Sequence, residues 1–105
     1  MKITIIGTTA YQDRMSQHKT ELNSQGHQVK IPAFDNMPNL DEIGVCTYNL
    51  NAIKWADEIH IFWDQRSIGT IFDFGMVFAL NKPISIIYLQ PKTFANLMRK
   101  YSINP

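Results

Sequence analysis

Ile59-His60-Ile61-Phe62, followed after four residues by Ser67-Ile68-Gly69-Thr70-Ile71-Phe72-Asp73-Phe74-Gly75, is the stretch whose reading sets the fold. The first run has the length and β-branched character of a buried strand. The second opens a segment, Gly69 to Leu80, that reads as a helix. Open α/β sheets bind ligands at the carboxyl ends of their strands, where helix N-termini expose unpaired N–H groups. Asp73 stands one helical turn inside such a junction and is the first candidate for chemistry. A plainer reading stays open beside it, in which Gly69-Thr70 turns and caps the helix and Asp73 interacts with its dipole.

Upstream, Ile3 to Ile6 is a short apolar run ended by Gly7, the pattern of a first buried strand with a turn behind it. Tyr11, Met15 and Leu22 recur at helical spacing, and Gly26 stops that helix before Gln28-Val29-Lys30-Ile31, the second strand. Pro32 through Gly44 carries two prolines and little periodicity, and reads as a loop that covers the site. Leu50, Ile53 and Lys54 belong to a second helix ending near Asp57, and Glu58 to Phe62 is the third strand. Downstream, Lys82-Pro83 turns the chain into Ile84-Ser85-Ile86-Ile87-Tyr88, the fourth strand. Phe94, Leu97 and Met98 mark a last helix ending near Tyr101.

Strand and helix alternate throughout, which predicts an α/β fold with a small doubly wound parallel sheet, flavodoxin- or Rossmann-like. The expected order is 2-1-3-4, with helices covering both faces. A chain of 105 residues has room for one domain, 1–105. The switch point between the first and third strands brings the Gly7 loop and the Ser67 to Asp73 loop to one crevice.

Hydrophobic residues make up 45% and charged residues 18% of the chain, a globular composition. A formal net charge of +1 gives no field that recruits a polyanion, and Lys92, Arg99 and Lys100 read as a solvated helix face. Neither nucleic acid nor membrane is expected as a partner. Cys46 is the only cysteine, which excludes an internal disulfide and a cysteine-based zinc cluster and fits a reduced, cytoplasmic setting. Met1 to Gly7 is too short an apolar stretch for a signal peptide, and nowhere do about 18 apolar residues run together. His18, His27 and His60 lack metal-ligand spacing, so no metal or other cofactor is expected, and His60 reads as structural. A receiver-type domain phosphorylated on Asp64 would need an acidic pair after the first strand to hold magnesium, and Gly7-Thr8-Thr9 offers none.

Four stretches in register resemble the nucleoside 2-deoxyribosyltransferase-like family, including its deoxynucleoside monophosphate N-glycosidase-like members, over nearly the whole chain. They are Gly7 followed by Tyr11-Gln12-Asp13-Arg14; Asn49-Leu50-Asn51-Ala52-Ile53-Lys54 before Ala56-Asp57; Ser67 to Gly75 before Ala79-Leu80 and Lys82-Pro83; and Asn96-Leu97-Met98. The resemblance implies cleavage of an N-glycosidic bond by a carboxylate nucleophile, through a covalent deoxyribosyl intermediate, with no cofactor. It places Asp73 where the family's nucleophilic Glu stands, and Asn49 and Ser67 where two further aspartates usually stand. Gly7, Tyr11 and Asp13 fall in its substrate-binding stretch, with Tyr11 stacked on the base. Asn96 and Met98 would reach into a neighbouring subunit's site, which implies a homodimer or larger homo-oligomer.

All three acidic positions depart from the transferase pattern. Asp is one bond shorter than Glu, and a displacement of about 1 Å costs on the order of 100-fold in rate. Asn49 neither takes nor gives a proton as a carboxyl group does. At position 67 a carboxylate would repel a 5′-phosphate, whereas the Ser67 hydroxyl beside the Gly69 and Thr70 amides at a helix N-terminus welcomes one. Ser67 as a plain helix cap, Tyr11 as a partly buried aromatic, and Asn96 and Met98 as ordinary residues of the last helix stay open as alternatives. The expected function is an enzyme that cleaves or transfers the N-glycosidic bond of a deoxynucleoside or its 5′-monophosphate. The alternative is a nucleotide-binding protein that has kept the pocket and lost catalysis.

Overall fold

The computed structural model describes residues 1–32, 39–90 and 94–103, with the side chains of residues 94–96 outside that description. The elements are β1 (Lys2–Gly7), a 3-10 turn (Thr9–Tyr11), α1 (Gln12–Ser24), β2 (Gln28–Lys30), α2 (Glu42–Trp55), β3 (Glu58–Trp63), α3 (Ile68–Ala79), β4 (Ile84–Leu89) and α4 (Phe94–Tyr101). All four strands are parallel and lie in the order β2-β1-β3-β4, as strand–helix alternation predicts.

Boundaries differ where a side chain caps a helix. Asp41 Oδ1 accepts the Gly44 N–H at 2.7 Å and starts α2 at Glu42, so the loop expected to reach Gly44 ends earlier. Of that loop, residues 33–38 lie outside the described residues. Ser67, not Gly69-Thr70, caps α3, which therefore begins at Ile68.

The alternation of β3 explains both cores. Ile59 and Ile61 point to one face and pack with Ile6, with Ile53 of α2 and with Val77 of α3. Phe62 points to the other face and packs with Ile5 and with Met15 of α1. Burying one such side chain contributes roughly 1.5–3 kcal/mol. Gly7 ends β1 between these layers: a Cβ there would lie 2.6 Å from the Phe62 carbonyl oxygen and 2.8 Å from Met15 Sδ. Only glycine lets β1 finish this close to β3. His60, on the α1 face, is buried in a hydrogen-bonded chain: its Nδ1 lies 2.8 Å from His18 Nε2, its Nε2 3.3 Å from Glu58 Oε2, and Ser85 Oγ donates to Glu58 Oε1 at 3.0 Å. Burial, then the neighbouring His60 ring, holds His18 below the usual histidine range.

Helices lie around the sheet as the alternation predicts, and β4, at the sheet edge, keeps exposed side chains. The ladder shifts between Ile61 and Phe62, which pair with Ile86 and Tyr88, so Ile87 is extra on β4. Ile84, Ile86, Ile87 and Leu89 are all exposed. On α4, Leu97, Met98 and Tyr101 are exposed as well. No helix among the described residues is long and apolar enough to cross a membrane.

Candidate functional site

At the carboxyl ends of β1 and β3 lies a cleft of about 230 Å³. Gly7, Thr8 and Thr9 line it from the end of β1, and Pro32 from beyond β2. α2 contributes Val45, Cys46 and Asn49, and the first turns of α3 contribute Ser67, Gly69, Thr70, Phe72 and Asp73. This is the crevice that strand order 2-1-3-4 dictates, with the β1 and β3 loops on its two sides.

Helical periodicity aims the two central side chains. Thr70, Asp73 and Val77 form one buried stripe of α3, and Val45, Asn49, Ala52 and Ile53 one stripe of α2. Each stripe is apolar at its C-terminal end, and its polar side chains, Thr70 and Asp73 on α3 and Asn49 on α2, line the cleft. Asp73 is thereby 7% exposed and Asn49 6%. Asn49 Nδ2 donates to Asp73 Oδ2 at 3.4 Å. Desolvation raises the Asp73 carboxyl to about 6, and the Asn49 hydrogen bond, which favours the charged form, offsets only part of this. A carboxylate poised near 6 is mostly ionised at neutral pH and takes a proton just below it, which suits a nucleophile or an acid–base group.

At the start of the same helix, Ser67 Oγ accepts the Thr70 N–H at 3.3 Å and the Thr70 hydroxyl at 3.1 Å. Both hydroxyl lone pairs are then engaged, and the Ser67 O–H remains as a donor. Capping and ligand-facing roles for Ser67 are therefore compatible. A Cβ added to Gly69 would meet nothing nearer than Ser67 Oγ at 3.9 Å, so no protein contact demands glycine beside this helix N-terminus. Asp64, the residue that a receiver-type reading would phosphorylate, uses Oδ1 to accept two backbone N–H groups.

Of the residues singled out from sequence, Gly7, Asn49, Ser67, Gly69, Thr70 and Asp73 come together in this cleft. Tyr11 does not line it. Its ring packs edge-on against Tyr88, centroids 4.9 Å apart, because the 3-10 turn after β1 directs it toward the β4 side. Asp13 is exposed in the first turn of α1, and Met98 is exposed on α4; neither lines the cleft. The Asn96 side chain lies outside the described residues, as does Lys92. Pro32, the first residue of the loop expected to cover the site, lines the cleft, whereas sequence reasoning missed Thr8, Thr9, Val45, Cys46 and Phe72. Val45 and Cys46 were within reach of it, since they precede Asn49 by four and three positions on one helix face. Among the described residues, Asp73 and Cys46 are the only titratable side chains lining the cleft, and no group of three or more His, Cys, Asp or Glu is placed to hold a metal ion.

No protein-family model matches this sequence, and no curated protein does. Among solved structures, the chain is similar to the CMP N-glycosidase BcmB of Clostridium botulinum, with a TM-score of 0.63 and 22% sequence identity over 94% of this chain and 78% of that one. The chain therefore has an α/β fold shared with a nucleotide N-glycosidase, the fold that the nucleoside 2-deoxyribosyltransferase-like resemblance implies.

Proposed function

We propose that this protein cleaves the N-glycosidic bond of a deoxynucleoside 5′-monophosphate, with Asp73 as nucleophile. The observation that carries the proposal is a buried carboxylate, Asp73, sharing one cleft with the capped N-terminus of α3. The carboxylate faces the sugar carbon whose positive charge develops as the base departs, and the helix N-terminus faces the 5′ end. In the first step a carboxylate oxygen bonds to the anomeric carbon, and the base leaves with the bond's electron pair. In the second, water adds to that carbon and frees the carboxylate. The water proton balances the one taken by the base, and the products are free base and sugar 5-phosphate. Asn49 holds Oδ2 and orients the carboxylate. A second base in place of water would make the same intermediate a transfer intermediate.

The fold likeness to a CMP N-glycosidase supports a nucleotide as ligand. The exposed apolar side chains of Ile68, Phe78, Ile86 and Met98 support a homodimer or larger homo-oligomer, and the single cysteine a reducing, cytoplasmic setting. One observation favours the second reading, a binding protein without turnover: glycosidases of the retaining kind use two carboxyl groups, and among the described residues Asp73 is the only one lining the cleft.

The experiment is chromatography of deoxynucleosides and their 5′-monophosphates after incubation with the protein, with Asp73→Ala as control and a second free base as acceptor. Release of base that Asp73→Ala abolishes supports the proposal, and base exchange redirects it to a transferase. Binding without turnover, with Asp73→Ala retaining affinity, leaves the binding protein.

A further inference from the structure

The loop between β3 and α3 is held by a side chain that is not itself part of the cleft lining. Asp64 Oδ1 accepts the backbone N–H of Arg66 at 2.9 Å and that of Ser67 at 2.8 Å. Between them Gln65 sits in the left-handed region, φ 63°, a conformation that costs a non-glycine residue on the order of 1 kcal/mol and persists only where its surroundings enforce it. The Gln65 side-chain amide donates to the Gln90 carbonyl, and the Gln90 N–H donates to the Trp63 carbonyl at 3.0 Å, so the turn is pinned to the end of β4 as well. This doubly held turn sets the place of Ser67. The Ser67 hydroxyl accepts the Thr70 N–H, lies 3.1 Å from the Thr70 hydroxyl and lines the cleft, so its O–H is free to rotate toward a ligand oxygen there.

We infer that Asp64 is a positioning residue for the 5′ end of the substrate: its two backbone hydrogen bonds fix Ser67 so that the Ser67 hydroxyl donates into the cleft beside the Gly69 amide. The inference rests on the nucleoside monophosphate substrate proposed above. The role requires an acceptor at Oδ1 and not a charge, so asparagine preserves it and alanine removes it. Removal leaves two backbone N–H groups without their partner and the Gln65 conformation with one restraint in place of two. The Ser67 hydroxyl then loses its fixed direction, and a hydrogen bond to an anionic oxygen is the kind most sensitive to direction.

Steady-state kinetics of the wild type, Asp64→Ala, Asp64→Asn and Ser67→Ala on a deoxynucleoside and on its 5′-monophosphate test this, with calorimetric titration of the monophosphate alongside. Asp64→Ala raises KM and Kd for the monophosphate about tenfold, while kcat and the KM of the unphosphorylated nucleoside stay within about threefold. Asp64→Asn returns the monophosphate to within about threefold of wild type. Adding Asp64→Ala to Ser67→Ala weakens binding by less than about twofold further, because both act through one hydroxyl. Equal losses on both substrates, failure of Asp64→Asn alongside Asp64→Ala, or additive losses in the double variant would overturn the inference. A wild type that releases no base defeats the proposed reaction and leaves calorimetry to decide the positioning role: monophosphate affinity unchanged in Asp64→Ala overturns it, and affinity lost in Asp64→Ala but kept in Asp64→Asn upholds it. A wild type that binds no monophosphate overturns both.

Discussion

The cleft face of α3 and the outer surface it shares with β4 invert the usual rule of burial in opposite ways. At its N-terminal end the helix buries polar groups, Thr70 and Asp73, against Asn49 of α2. Along its outer face and on neighbouring β4 it leaves Ile68, Phe78, Ile84 and Ile86 exposed. A buried polar cluster opening on a cleft costs stability unless a ligand uses it, and an exposed apolar surface has the same relation to another protein surface. One helix thus separates a candidate chemical site from a candidate association surface, and the two respond to different perturbations.

The largest expected effect falls on the polar end. Asp73→Asn lowers base release by about 10²–10⁴-fold, the range for loss of a catalytic group, in a chromatographic assay. The same change sharpens the comparison through stability. The folded-state carboxyl titrates at about 6 against an ordinary 3.8, so the native state holds the proton more tightly than the unfolded chain. The stability this brings is fully present below about 3.8 and is lost as pH rises to about 6. Asp73→Asn therefore gains stability on the order of 2 kcal/mol at pH 7–8 and gains none near pH 4, as read by denaturant melts at the two pH values. A gain independent of pH would place the cost of the site elsewhere.

Gly7→Ala comes next: with Phe62 and Met15 under 3 Å from the new methyl, it costs roughly 1–3 kcal/mol and disturbs the cleft floor with the core. Ser67→Ala removes the α3 cap and costs about 1 kcal/mol in thermal melts, with a further loss of affinity confined to phosphorylated ligands. The smallest effect on the isolated chain belongs to the apolar region. Ile86→Lys shifts stability by no more than about 0.5 kcal/mol yet lowers the mass seen by light scattering if that surface joins two copies, with base release per cleft as the control. Loss of activity together with mass would mean that the two regions are coupled through the oligomer.

Much of the fold was legible because it follows from alternation. Ile3 to Ile6 and Ile59 to Phe62 announce buried parallel strands, and the order β2-β1-β3-β4 is that of a doubly wound sheet with helices on both faces. The extra residue Ile87 was not legible, since a ladder shift depends on how β4 meets β3 and leaves no local signature. The start of α2 was misjudged because a polar stretch, rich in residues that favour loops, also contains the capping residue Asp41. In the site, Ser67 and Asp73 were readable from one strand–helix junction. Their meeting with Asn49 was not, because it depends on how α2 packs against α3 and entered only through resemblance to a family. Tyr11 illustrates the limit: spacing puts it after β1, while the 3-10 turn decides that it meets Tyr88 and not the cleft.

The most direct test is the release of free base from a deoxynucleoside 5′-monophosphate by the wild type and by Asp73→Asn, followed between pH 4.5 and pH 8. Release that falls away below about pH 6, as Asp73 takes its proton, and that Asp73→Asn abolishes at every pH would establish the ionised Asp73 carboxylate as the group that drives the reaction. Equal release by the two proteins, or none by either, would contradict it.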